Sequence, residues 1–285
     1  MKAARGTLLR WCLAACVAVL LAACASSPYG ADSKQRSDAM LQAQLAHARE
    51  ALAPGQPPHV VYVGFALNSE SRAFRGDVLR GEQVFRAVDP NAVVLKLSNP
   101  AFGQEADWPF ATRENVAAVL RAIGPQLRPR DRAVLLFSSH GVPGALALHA
   151  GGNDIGRITA ADLQEWLAPW GDKPTMVVLS ACFSGSLMPP LRAPSRMLMA
   201  AASADRSSFG CQFHSERTFF VDALWPAGDL GRFSARDLME QARTGVQQRE
   251  EAQHLTPSQP RYFFGNGVQA WSRQPLAQWL QGDAP

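Results

Sequence analysis

From residue 59 to residue 265 the chain alternates apolar, β-rich runs with stretches of helical period. HVVYVGFA (59–66), NAVVLKL (91–97), RAVLLFSS (132–139), TMVVLS (175–180) and RMLMAA (196–201) are nearly continuous in Val, Leu, Met and Ala, and RYFFG (261–265) is a shorter sixth run. A strand that is apolar on both faces belongs in the interior of a parallel sheet with cover on each side. Helical patterns fall between the runs. TRENVAAVLRAI opens with Thr112 as N-cap, TAADLQEWL with Thr159, and SARDLMEQARTGVQQREEA with Ser234. Upstream, SDAMLQAQLAHAREAL reads as an amphipathic helix capped by Ser37 or Asp38, with Leu41, Leu45 and Leu52 along one face, and APGQPP breaks it. The alternation predicts an α/β fold, a mainly parallel central sheet between two helical layers.

The first 23 residues follow a different rule. Lys2, Arg5 and Arg10 precede the apolar run WCLAACVAVLLAA (11–23), the pattern of a secretory signal peptide. LAAC (21–24) resembles the bacterial lipobox, which implies removal of residues 1–23 and a lipid on Cys24. Residues 24–57 then hold the lipidated cysteine, a polar tether and the short helix, and residues 58–285 form the domain. Ala25 and Ser26 place no aspartate after the lipid site. By resemblance to the usual sorting rule, this favours anchorage at the outer membrane, facing the periplasm. Loss of the three basic residues lowers the formal charge from +4 to +1. The remaining chain shows no basic stripe interleaved with aromatics, so no nucleic-acid partner is expected.

After cleavage two cysteines remain, Cys182 and Cys211. In an exported protein they could form a disulfide. Position suggests another use for the first. The third strand run ends in His140-Gly141 and the fourth in Cys182. Consecutive parallel strands joined by a right-handed crossover are commonly neighbours, which would bring His140 and Cys182 to one sheet edge. A thiolate there can act as nucleophile, with the imidazole accepting its proton and later protonating a leaving amine. Gly141 lacks a side chain, so its N–H can approach a substrate carbonyl and share an oxyanion hole with the N–H of Cys182. His149, in ALALHAGG, and His214, in CQFHSERTFF, are expected to take surface or supporting roles. The four residues His140, His149, Cys182 and Cys211 lack paired zinc spacing, and neither metal nor cofactor is expected. Trp108, Trp166, Trp170 and Trp225 are scattered between the blocks and read as packing.

Three blocks in order, SSHG (138–141), SACFSGSL (180–187) and AAASADRSSFGC (200–211), resemble the signature segments of the legumain-type cysteine peptidases, family C13. ATRENV (111–116) and LTPSQP (255–260) are similar to stretches of its bacterial lipoprotein members. The resemblance spans roughly residues 58 to 265 and implies a caspase-like three-layer αβα sandwich acting on peptide or protein substrates. It implies Cys182 as nucleophile, His140 as general base and acid, and Gly141 and Cys182 as oxyanion donors. The segment from Asp205, with Ser207 and Ser208, would wall the specificity pocket, and Arg72 or Arg75, on the loop after the first strand, would supply its cation. Ser180 would also face the substrate pocket: legumains carry an acid at this position, two before the nucleophile, so a preference for asparagine does not transfer. Asn68 is a candidate third catalytic member. A free Cys211 is expected, since a bridge to Cys182 would silence the thiol. Two other readings keep the fold: a transpeptidase using the same dyad, and a non-catalytic envelope protein that binds peptides.

Overall fold

The computed structural model describes residues 30–280. The signal segment and Cys24 lie outside the described residues. Its centre is a six-stranded sheet in the order β2-β1-β3-β7-β8-β9. The strands are β1 (Val60–Ala66), β2 (Val93–Ser98), β3 (Arg132–Ser138), β7 (Thr175–Ser180), β8 (Arg196–Ala200) and β9 (Arg261–Phe264). The first five are parallel, and β9 runs antiparallel to β8. A side sheet of β4 (Gly141–Val142), β5 (Ala145–Ala150) and β6 (Asn153–Thr159) follows β3 directly.

Every residue of β1, β3, β7 and β8 is buried, as their unbroken apolar runs require. Successive side chains of a strand face opposite sides, so each strand feeds two cores. Val61, Val63 and Phe65 of β1 join a cluster with helices α1 (Ala31–Ala51), α3 (Arg113–Ile123) and α4 (Ala160–Leu167). Val60, Tyr62 and Ala66 join a second with α2 (Arg72–Val88), α5 (Phe219–Leu224) and α6 (Ala235–Ala252). This is the three-layer αβα sandwich that the alternation predicts. The four singled-out tryptophans are all buried within it.

Thr112, Thr159 and Ser234 are N-caps as expected, and the last two close full capping boxes with Asp162 and Asp237. Two expectations change. Helix α1 begins six residues early, after Gly30, and Ser37 is no cap: it is buried mid-helix, its hydroxyl accepting the N–H of Phe110 at 2.8 Å. Arg72 and Arg75 lie not on a loop but in α2, which starts at Ser71, whose hydroxyl accepts the N–H of Ala73. Glycines inside α2 obscure its helical signal. At least one has a packing cause, because a Cβ on Gly81 would meet the Tyr62 hydroxyl at 2.3 Å. That hydroxyl reaches down to donate to the Val78 carbonyl at 2.9 Å.

Candidate active site

The C-terminal edge of the sheet assembles the site. Ser138 of β3 pairs with Ser180 of β7, and the N–H of Ser139 still donates to the Ser180 carbonyl at 3.1 Å. Two residues beyond that pair, His140 and Cys182 leave adjacent strands at matching positions. Gly141 shows how closely the two exits pack: a Cβ there would lie 2.2 Å from the Cys182 carbonyl oxygen and 3.1 Å from Ala181 Cβ. Only glycine lets the His140 loop pass the Cys182 peptide at this range.

The turn after Cys182 is fixed by strain and by pairing. Phe183 takes the left-handed region at φ 55°, which is uncommon outside glycine. Its N–H donates to the Arg206 carbonyl at 2.7 Å, and Gly185 N–H donates to Ala202 at 2.9 Å. The turn after Cys182 is therefore laced to the segment from residue 202 to 208, and that lacing brings Ser208 to the thiol. Cys182 Sγ accepts the Ser208 N–H at 3.3 Å, with the Ser208 hydroxyl at 3.7 Å. On the same residue, the Ser208 carbonyl lies 3.5 Å from Sγ, placed to accept the thiol hydrogen. Ser207 and Asp205 point away from the core and are exposed, and the Asp205 carboxylate accepts the Ser203 hydroxyl at 2.7 Å.

Cys182 and Cys211 are free thiols. Burial pushes the Cys211 thiol up, and the neighbouring Cys182 pushes it further. The disulfide alternative gives way to one accessible thiol cradled by donors and one held protonated beside it.

His140 stands edge-on to Phe74, with ring centres 5.0 Å apart. Partial burial lowers its pKa, the Glu70 carboxylate opposes that, and His149 adds to it. Glu70 faces both rings, its two oxygens 3.7 Å from His140 Nε2 and 3.6 Å from His149 Nε2. His149 also meets the Ser69 hydroxyl at 3.2 Å through Nδ1. It belongs to the β5–β6 hairpin and acts from behind His140. His214 is exposed. Asn68 is buried and its side-chain oxygen accepts the Glu70 N–H at 2.8 Å, so it shapes the turn that presents Glu70. Glu70 carried no sequence signal, because its partners come from β3 and β5.

The two arginines separate clearly. Arg75 is committed to a two-pronged pair with Asp107 at 2.7 and 2.5 Å and lies over the Trp108 ring at 3.9 Å. Arg72 is the more open one, reaching the His214 carbonyl at 3.2 Å and Glu216 at 3.3 Å. Both line a cleft of about 820 Å³ that also takes in Asn68, Glu70, His149 and Phe213. Among the described residues, no cluster of three histidine, cysteine or acidic side chains is placed to hold a metal ion.

Beneath the ends of β3 and β7 sits a residue that the sequence did not flag. Asp77, from α2, is fully buried. Its Oδ2 accepts the hydroxyls of Ser138 at 2.6 Å, Thr218 at 2.9 Å and Ser180 at 3.2 Å, and its Oδ1 accepts the Thr218 N–H at 3.0 Å. Burial raises its pKa to about 7 against the pull of those four donors. Tyr62 and Cys211 are titratable groups that face it, and the charge on Asp77 helps keep both protonated. Ser180, read as part of the pocket surface, is thus buried and spent on Asp77 and Thr218.

A comparison with the curated proteins found no match. The family model for the Peptidase C13 family matches residues 115–262, just over half of the chain, and the chain belongs to that family. The match takes in His140, Cys182 and the segment from residue 202 to 208, and it begins after Glu70, Arg72, Arg75 and Asp77.

Proposed function

We propose that this member of the peptidase C13 family is a cysteine endopeptidase whose nucleophile is Cys182 and whose general base and acid is His140. The observation that carries the reading is the matched exit of these two residues from the paired strands β3 and β7, two positions past the Ser138–Ser180 pair. His140 accepts the thiol proton, and Sγ attacks the scissile carbonyl carbon. The oxyanion that forms is met by the N–H groups of Gly141 and Cys182, each such donor contributing about 2.7–4 kcal/mol where one has been removed elsewhere. The C–N bond breaks as His140 protonates the departing amine, leaving a thioester on Cys182. Water, deprotonated by His140, then attacks the thioester and frees the acid and the thiol.

Ser208, against the sulfur, and Arg72, exposed over the cleft, are the side chains we assign to substrate contact. Arg75 is spent on Asp107. We further propose that the chain is lipidated at Cys24 and held at the outer membrane facing the periplasm, supported by the LAAC segment and the residues that follow it.

The test is acid-quenched turnover of a peptide library followed by mass spectrometry of the Cys182 peptide. An acyl adduct on Cys182 that is missing in His140→Ala, together with hydrolysis abolished in Cys182→Ala, is the expected result. Equal hydrolysis by wild type and Cys182→Ala would sink the proposal.

A further inference from the structure

Among the described residues no cation lies beside the buried Asp77 carboxylate, and that needs a reason. The partners of Asp77 are three hydroxyls and one backbone N–H. Taking a carboxylate out of water is costly unless fully compensated, and for stability alone a well-packed apolar side chain commonly does as well or better. What Asp77 does that an apolar residue would not is join three separate elements. Ser138 ends β3, Ser180 ends β7, and Thr218 caps α5, whose first N–H, on Phe219, donates to the Phe209 carbonyl next to Ser208. Two of these three are the residues two places before His140 and Cys182.

We propose that Asp77 is a positioning residue for the thiol–imidazole pair, fixing the register of the two strand ends through the hydroxyls of Ser138 and Ser180. Its third tie, to Thr218, holds the pocket-wall segment in step with both. The proposal rests on the reading of Cys182 and His140 as the reacting pair. The carboxylate that Ser180 meets comes up from helix α2 beneath the strand ends. The charge faces inward, onto the strand ends.

The chemistry of the contact supplies the test. Three hydroxyl oxygens lie within hydrogen-bond range of one carboxylate oxygen, and those of Ser180 and Thr218 also meet each other at 2.9 Å. In Asp77→Asn, if Oδ1 keeps the Thr218 N–H, the amide nitrogen has two hydrogens to offer three hydroxyl oxygens, so at least one tie is lost at nearly constant volume. The experiment is the rate of iodoacetamide alkylation of Cys182, read peptide by peptide by mass spectrometry between about pH 5 and pH 10. Full-length wild type, His140→Ala, Asp77→Asn and Asp77→Ala are compared, with circular dichroism confirming the fold of each.

We expect wild-type Cys182 to react at neutral pH about tenfold or more faster than in His140→Ala, and Asp77→Asn to move its pH profile toward the free-thiol value near 8.5. A residue serving stability alone would change the melting temperature and leave the profile of the folded protein where it was. If His140→Ala slows the reaction and Asp77→Asn keeps the wild-type profile, the positioning role is overturned and the dyad stands. If wild type and His140→Ala react alike, the dyad itself falls and Asp77 has no pair to position. Should Asp77→Ala not fold, the near-isosteric Asp77→Asn decides the matter.

Discussion

The buried carboxylate should write its signature into the pH dependence of stability. An unburied aspartate titrates near 3.8, and Asp77 in the folded chain near 7. Between those values the native state keeps a proton that the unfolded state has released. Stability from this group is therefore greatest below about pH 3.8, falls as pH rises through the window, and levels off above about 7. Three units at roughly 1.36 kcal/mol each make the full swing about 4 kcal/mol. Between about pH 5 and pH 8 the share lost is about 2–3 kcal/mol.

Asp77→Asn removes that titration at nearly constant volume. Urea unfolding followed by tryptophan fluorescence should show the gap between the two proteins moving in favour of the amide by about 2–3 kcal/mol from pH 5 to pH 8. In melting temperature this corresponds to roughly 5–10 °C for a chain of this size. The amide also loses at least one hydrogen bond, a cost of about 1 kcal/mol that is the same at both pH values and drops out of the comparison. Parallel stability curves for the two proteins would refute the reasoning, because they would mean that Asp77 titrates alike in the folded and unfolded chain.

Two further outcomes follow from the site. Gly141→Ala puts a Cβ against the Cys182 carbonyl oxygen, a backbone atom that cannot swing aside. We expect a loss of about 1–3 kcal/mol of stability and a fall of about 100-fold in kcat on peptide substrate, measured by denaturation and steady-state kinetics. Unchanged kcat would show that the approach of the two loops is not part of the catalytic geometry. Glu70→Gln removes the one charge that raises the pKa of His140. The ring should then give up its proton at lower pH than in wild type, seen by NMR titration of its Cε1 proton, and an unmoved midpoint would exclude Glu70 as its partner.

Much of this was legible in the chain because it depends on local rules. Unbroken apolar runs specify strands buried on both faces, and Thr112, Thr159 and Ser234 announce helix starts through hydrogen bonds made within one turn. His140 and Cys182 could be brought together from strand order alone, since a parallel sheet aligns the C-terminal ends of its strands. What failed locally is equally instructive. Gly76 and Gly81 disguise α2 as a loop, and at Gly81 the cause is the Tyr62 hydroxyl on another element. Ser37 has the chemistry of a cap and serves instead as an acceptor for Phe110, 73 residues away. Arg72 and Arg75 are equivalent by residue type, and only the placement of Asp107 and Trp108 separates them. Glu70 and Asp77 left no trace in the sequence, because a carboxylate gains its meaning from partners on other elements. The order of residues determined which strands and helices form and where His140 and Cys182 emerge. Tertiary structure alone decided what surrounds that pair, since burial and convergence of donors are properties of the assembled core.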